Sequence, residues 1–336
     1  MRVPALRDLT APWLSEAIGE TVTAVRAEAI GTFTTELWRL HVQYGGARSG
    51  TLILKRPSPK RPRSFDGFAE EIRFYRELAG ELPVRIPRFR WGAVANDGTR
   101  AMLILEELPG LESFDWLGGG DDDHMNAALD GLAGVHAAGR NFADGIGWVP
   151  TLSDSAERER IEREYAEAWE RTREVFETAC PGFVPIGDAL VNRVAHCLES
   201  LASPVTLLHG DPHLENLPRV AGTRSEIAWI DWASVLRGSP GFDVAVLIAM
   251  SVPPARRAEK ERRWVERHHE ALVAAGMGDE PDPWLSYRRG ILRRAALIVE
   301  IAPRFENPAA ALPLVLPRCA QAAVDLDCGS LISTTV

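Results

Sequence analysis

The hydrophobic pattern of the chain changes near residue 106, from the two-residue period of strands to the longer period of helices. The alternation is clearest at 35–44, where Trp38, Leu40 and Val42 share one face. The pattern predicts strands at 22–30, 35–44, 51–55, 89–94 and 101–105, with a helix at 65–82 between the third and fourth strands. We therefore expect an antiparallel five-stranded sheet with one helix, followed by a mostly helical region.

The second part of the chain carries helical patterns almost to its end. They lie at 125–138, 153–179, 188–202, 242–250, 255–275, 284–301 and 317–326. Residues 106–110 (Glu-Glu-Leu-Pro-Gly) separate the two patterns and are the predicted hinge. The expected fold class is α+β, with a first lobe at residues 1–108, hinge included, and a second at 109–336.

Composition excludes several classes of protein. The net charge of −9 argues against a general nucleic-acid binder, which needs a basic face. The sequence contains no apolar run long enough for a membrane span, which takes about 20 residues. Asp8 and Pro12 interrupt the N-terminal segment, so no secretory signal is predicted and a cytoplasmic location is expected. A monomer and a homodimer both remain open.

Three oxygen-bearing side chains stand at a spacing that suits phosphoryl transfer. Asp211 follows the apolar run 205–208, Asn216 comes five residues later, and Asp231 ends a second apolar run at 227–230, which predicts a short strand. One carboxylate can orient an attacking hydroxyl, while an amide oxygen and a second carboxylate can hold Mg²⁺ against phosphates. Taken alone, Asp211 could be an aspartate in an ordinary turn. The spacing of Asp211, Asn216 and Asp231 together disfavours that alternative.

Lysine is rare in this chain: of 38 basic residues only Lys55, Lys60 and Lys260 are lysine. A compact ammonium suits contacts with phosphate oxygens. Lys55 ends the third predicted strand and is the candidate for that role, whereas Lys60 and Lys260 fit solvated positions. Such a lysine needs a carboxylate to direct it. Glu70 and Glu71 of the 65–82 helix differ by about 100° around the axis, so only one can face Lys55.

The motifs His209-Gly210-Asp211 and Ile230-Asp231-Trp232, with Gly238 and Asp243 downstream, resemble those of the aminoglycoside phosphotransferase and choline kinase superfamily. This resemblance implies a bilobal, protein-kinase-like fold that transfers phosphate from ATP or GTP, with Mg²⁺, to a hydroxyl of a small molecule. It implies that Asp211 is catalytic and that Asn216 and Asp231 bind the metal. It favours Glu71 over Glu70 as the partner of Lys55, and it gives Asp243 a structural role in holding the catalytic loop.

The same resemblance assigns the remaining nucleotide contacts. Gly31, Thr34 and Thr35 lie in the loop expected to cover the phosphates, although a plain hairpin turn is the alternative. Glu106 and Leu108 are expected to hold the purine through their backbone. Because backbone recognition leaves little trace in a sequence, the choice between ATP and GTP stays open.

Two sets of residues bear on the acceptor. Glu112, Asp115 and the cluster 121–123 could form an acidic site for an aminoglycoside, or a solvated loop. Trp116, Trp148, Trp264 and Trp284 could line a site for a flatter, less charged acceptor, or pack in the core. We expect an antibiotic or related natural product as the acceptor. The alternatives are a metabolite kinase for choline, a sugar or an amino alcohol, and a nucleotide-binding pseudokinase regulator.

Overall fold

The chain divides into two compact units in a computed structural model that describes residues 3–32, 35–58, 67–141, 145–151, 155–305 and 314–332. The first unit consists of Met1–Glu81, Arg85–Leu111 and Ala228–Ser234. The second consists of Leu82–Val84, Glu112–Ile227 and Val235–Val336. The first unit thus includes a segment from far along the chain, and that segment contains Asp231.

The first unit is built on an antiparallel five-stranded sheet, as predicted. Its strands are β1 (Val22–Thr32), β2 (Thr35–Tyr44), β3 (Ser49–Pro57), β4 (Phe89–Val94) and β5 (Ala101–Glu106), in the order β1-β2-β3-β5-β4. Helix α1 (Ala11–Ile18) precedes the sheet, and helix α2 (Phe68–Glu77) lies between β3 and β4 in the chain. The helix expected at 65–82 is therefore shorter than its hydrophobic pattern, and residues 65 and 66 lie outside the described ranges.

One face of this sheet forms a core. Leu40, Leu52 and Leu54 are buried there with apolar residues of the other central strands and with Leu14 of α1. Side chains alternate across a strand, so Lys55, next to Leu54, points to the opposite face. The alternation therefore covers one face of the sheet and presents the lysine on the other.

The second unit is mostly helical, as predicted. Its helices are α3 (Asp122–Arg140), α4 (Ser155–Ala179), α5 (Val184–Leu190), α6 (Val194–Glu199), α7 (Pro240–Ser251), α8 (Pro254–Ala274), α9 (Pro283–Ile301) and α10 (Val315–Asp325). A hairpin of β6 (Thr206–Leu208) and β7 (Leu236–Gly238) lies among them. The single helix expected at 188–202 is wrong: α5 and α6 are separate, and Asn192 between them has a φ of 61°.

Helix α7 is the centre of the second unit, since all of its residues are buried. Helix α9 approaches it so closely that a Cβ on Gly290 would lie 2.5 Å from the carbonyl oxygen of Gly241. Only glycine permits this backbone contact. In the part of the chain that the structure describes, every helix is too short or too polar to span a bilayer.

Candidate active site

Lys55 lies at the centre of a buried ion cluster in the first unit. Its Nζ donates to Oε1 of Glu71 at 2.8 Å and to Oδ1 of Asp231 at 2.6 Å. Lys55 comes from β3, Glu71 from α2 and Asp231 from the late segment. Of the two glutamates considered from sequence, Glu71 is therefore the one that contacts the lysine.

Burial and charge act against each other in this cluster. Burial raises the pKa of Glu71 to about 7, even though the Lys55 ammonium opposes the shift. Burial lowers the pKa of Lys55, but Asp231 and Glu71 together raise it well above its usual range. The lysine therefore stays protonated, as a contact to phosphate requires. The side chain of Asp231 remains 43% exposed, so it can also reach a ligand.

The segment that presents Asp231 is not the strand expected at 227–230. It makes isolated bridges, of which one joins Arg85 and Ala228, and the Trp229 amide donates to the Arg85 carbonyl at 2.8 Å. Asp231 itself has a φ of 60°, in the left-handed region that is uncommon outside glycine. Trp232 stacks on Phe74 of α2, with ring centroids 4.0 Å apart. This stack holds the segment against the helix that carries Glu71.

Gly67 controls how closely α2 approaches that segment. It precedes the helix with a φ of 72°, and a Cβ there would collide with the Ala233 carbonyl oxygen. We expect Gly67→Ala to cost more than the about 1–2 kcal/mol of left-handed strain alone, and to weaken nucleotide binding by displacing Glu71 from Lys55. Gly98→Ala is the matched control, since Gly98 has a φ of 66° and open space around it. Stability would be measured by urea titration and nucleotide affinity by calorimetry. If Gly67→Ala and Gly98→Ala lost equal amounts of both, Gly67 would not control the position of α2.

In the second unit, Asp211 stands in a loop that follows β6 and is anchored by Asp243. Asp243 is fully buried on α7 and accepts hydrogen bonds from the backbone amides of His209 at 2.7 Å and Gly210 at 2.9 Å. His136 of α3 contacts the same carboxylate at 3.2 Å. Gly210 has a φ of 83°, which the turn into Asp211 requires. Asp243 thus holds the loop by its backbone.

The carboxylate of Asp211 has a cationic neighbour that the motifs do not include. Nη2 of Arg294, on α9, lies 3.0 Å from Oδ1, and Nε2 of His213 lies 3.5 Å from Oδ2. Burial alone would raise the pKa of Asp211, but Arg294 and then His213 hold it well below its usual range. The contact with Arg294 lacks hydrogen-bond geometry, and Oδ1 has no hydrogen-bond partner within the described residues. Oδ1 is buried, but 29% of the Asp211 side chain is exposed, so the carboxylate can still accept a hydrogen bond from a hydroxyl.

Asn216 is fixed by the same loop. Its Nδ2 donates to the backbone carbonyl of Asp211 at 2.9 Å, so the amide orientation is set and Oδ1 is left as a neutral oxygen ligand. Among the described residues no group of three or more His, Cys, Asp or Glu could hold a metal. The amide oxygen of Asn216 is of the kind that Mg²⁺ takes, since this ion binds few protein oxygens and completes its shell with phosphate and water.

The other predicted nucleotide contacts that the structure describes lie on or next to the strands of the first unit. Gly31 is exposed near the end of β1 and Thr35 opens β2, whereas Thr34 lies outside the described residues. The side chain of Glu106 accepts from Arg88 Nε at 3.0 Å. Leu108 follows β5 and is half-buried. The side chain of Glu106 is therefore occupied, and the expected role of Glu106 and Leu108 in binding a purine still rests on their backbone.

The fold and these two clusters define a class, that of kinase-like phosphotransferases. Residues 39–278 match the model of the phosphotransferase enzyme family. The chain therefore belongs to this family of enzymes.

Solved structures share the fold across nearly the whole chain. A provisionally assigned aminoglycoside phosphotransferase from Ralstonia eutropha has a TM-score of 0.63 at 16% identity, covering 96% of this chain and 97% of that one. An aminoglycoside phosphotransferase bound to GDP and kanamycin has a TM-score of 0.53 at 14% identity, covering 95% and 97%. Amicoumacin kinase, with AMP-PNP, Ca²⁺ and its substrate, has a TM-score of 0.55 at 12% identity, covering 89% and 88%. Likeness at these identities shows the fold alone.

A relative is also known from sequence. A kinase-like protein of Caenorhabditis elegans, itself uncharacterized, is 23% identical over 221 residues. The match covers 60% of this chain and spans only 55% of the length of that relative.

Proposed function

We propose that this chain transfers the γ-phosphate of ATP or GTP to a hydroxyl of a small molecule, an antibiotic or related natural product. The observation that carries the proposal is the buried Lys55 ammonium held between Glu71 and Asp231. A buried cation fixed by two carboxylates is pre-oriented to bind phosphate oxygens. Because ATP and GTP are intracellular nucleotides, the proposed activity is cytoplasmic.

Each residue has a role in this proposal. Lys55 binds the α and β phosphates, and Glu71 directs it. Gly31, Thr34 and Thr35 cover the phosphates, and the backbone of Glu106 and Leu108 binds the purine. Asn216 and Asp231 would hold Mg²⁺, which would neutralise phosphate charge.

Asp211 acts on the acceptor. Its carboxylate, on a side chain that is 29% exposed, accepts the hydrogen bond of the acceptor hydroxyl and aligns that oxygen with the γ-phosphorus. The oxygen forms a bond to phosphorus as the bond from phosphorus to the leaving nucleoside diphosphate breaks, and the proton passes to Asp211. The residues of this chain thus contribute mainly by positioning and charge.

The choice of acceptor class draws on the solved relatives. Kanamycin and amicoumacin are present in two of their complexes, which supports an antibiotic or a related compound here. A metabolite kinase is the second candidate, because the acidic residues Asp121 and Asp122 are engaged in ion pairs and leave less charge for an aminoglycoside.

Phosphoryl transfer itself is the test. The protein would be incubated with Mg²⁺, γ-labelled ATP or GTP and pools of alcohols from antibiotics, sugars and amino alcohols. We expect label on one acceptor class as a phosphate monoester, in step with release of ADP or GDP. Binding of nucleotide without any labelled acceptor, or release of label only as inorganic phosphate, would contradict the proposal and favour a pseudokinase.

A further inference from the structure

The charge around Asp211 is already balanced within the second unit. Arg294 is 4% exposed and compensates the Asp211 carboxylate at 3.0 Å. A second buried arginine, Arg318 of α10, donates to the Met250 carbonyl at 3.0 Å and to the carbonyl of Trp116. An ammonium group brought to Asp211 would therefore meet a fixed guanidinium rather than an unpaired carboxylate.

Two acidic residues at the start of α3 are also occupied. Asp121 caps α3 through the His124 amide at 2.8 Å and pairs with Arg219 at 2.6 Å. Asp122 pairs with Arg256 at 2.6 Å and also with Lys260. Binding a polycation through this cluster would require these ion pairs to break first.

An aromatic surface adjoins Asp211 instead. The ring of Trp116 packs against His213 at 5.3 Å between centroids, and Phe114 packs edge-on against Trp116 at 5.0 Å. Phe114, Trp116 and His213 are here called the aromatic platform; the Trp116 ring is inclined by 46° to His213 and by 76° to Phe114. Nδ1 of His213 is buried and has no hydrogen-bond partner within the described part of the chain.

The platform is held in place by its backbone. Arg318 binds the carbonyls of Trp116 and Leu117, and the Gly120 amide donates to the Ser251 carbonyl at 2.9 Å. Gly119 has a φ of 71° and no room for a Cβ beside Ser251 and Pro253. Two of the other three candidate tryptophans are engaged elsewhere: Trp264 is buried, and Trp284 lies against Arg262 and Tyr287.

We propose that the acceptor is a flat, uncharged hydroxyl compound that stacks on the aromatic platform and presents its hydroxyl to Asp211. This inference rests on the proposed function and narrows its substrate class. A planar ring could stack on Trp116 and pack edge-on against an inclined neighbour, and aromatic pairs favour both arrangements. The ion pairs of Asp121, Asp122 and Asp211 disfavour recognition of a polycation by these three carboxylates.

The test is a comparison of acceptor classes at fixed nucleotide. We would measure kcat/KM for uncharged aromatic or fused-ring alcohols, for hydroxycarboxylates and for polycationic aminoglycosides. We expect the uncharged flat alcohols to be phosphorylated at least about tenfold more efficiently than either charged class. Trp116→Ala should raise KM for them about tenfold, while Trp116→Phe restores most of the affinity. Trp284→Phe is the control and should change neither value.

The outcomes separate the two proposals. Efficient phosphorylation of aminoglycosides or hydroxycarboxylates, with no effect of Trp116→Ala, would overturn the platform and leave the phosphotransferase intact. If no acceptor is phosphorylated although nucleotide binds, the proposed function fails and the platform assignment fails with it. Because Trp116→Ala could disturb the loop, nucleotide affinity and thermal stability of each variant would be measured. The assignment would also be overturned if Trp116→Ala lowered nucleotide affinity and thermal stability while its KM for the acceptor equalled that of Trp116→Phe.

Discussion

Replacing Asp211 by asparagine should lower kcat by about 10²–10⁴-fold and leave the nucleotide dissociation constant within a few-fold of its normal value. The substitution keeps the shape of the side chain but removes the group that accepts the hydroxyl proton. Single-turnover transfer to the best acceptor, together with calorimetric titration of ATP, would separate the two effects. Turnover close to that of the unaltered protein would rule out a catalytic role for Asp211.

The same substitution has a consequence for stability. Asp211→Asn leaves the buried guanidinium of Arg294 without its counter-charge, and such a loss is destabilising. The double variant Asp211→Asn with Arg294→Met removes both charges and should recover part of the stability without recovering turnover. Recovery of turnover along with stability would mean that the single variant had failed only because it was poorly folded.

Replacing Lys55 by methionine should lower kcat/KM by about 10²–10³-fold, the range found when one donor to a transition state is removed. Unlike Asp211→Asn, it should also weaken nucleotide binding, because the ammonium contacts phosphates in the ground state. The loss of the cation leaves Glu71 buried and unpaired, which costs up to about 3–5 kcal/mol. Without the ammonium, burial favours the protonated form of Glu71 even more. The loss of stability should therefore grow as the pH rises above 7.

Two further variants distinguish binding from stability. Lys260→Met is the matched control, since Lys260 pairs with Asp122 at the surface and such pairs contribute about 0–1 kcal/mol. Lys55→Met combined with Glu71→Gln removes the unpaired carboxylate and should restore much of the stability. Nucleotide binding restored in that double variant would contradict the assigned role of Lys55.

The sheet could be predicted because strand periodicity is local. Alternation at 35–44 predicted that Trp38, Leu40 and Val42 share one face, and Leu40 and Val42 are buried on it. The fold class followed from the order of strands and helices, and it is confirmed. The helix at 188–202 could not be predicted correctly, because the break lies at Asn192, which has a left-handed conformation, and no glycine or proline marks it.

Arg294 shows what sequence reasoning missed in the site. It lies far along the chain from Asp211 and outside every motif, so no local spacing connects the two residues. The available signal was chemical: Arg293 and Arg294 interrupt an otherwise apolar stretch of α9, where an unpaired charge would be costly. A buried arginine implies a partner. Only the structure identifies Asp211 as that partner, because α9 packs on α7 and Asp243 of α7 holds the loop that carries Asp211. His136, which supports Asp243, was missed for the same reason.

The most direct test asks whether Asn216 and Asp231, which belong to different units, act on one metal–nucleotide complex. Mn²⁺ prefers the same oxygen ligands as Mg²⁺ and can be followed by electron paramagnetic resonance. Binding of Mn²⁺ in the presence of ADP would be titrated for the unaltered protein, Asn216→Ala and Asp231→Ala. We predict a nucleotide-dependent Mn²⁺ site that each substitution weakens at least about tenfold. If either variant binds Mn²⁺ with ADP as tightly as the unaltered protein, Asn216 and Asp231 do not hold one metal. That result would contradict the proposed phosphoryl-transfer site.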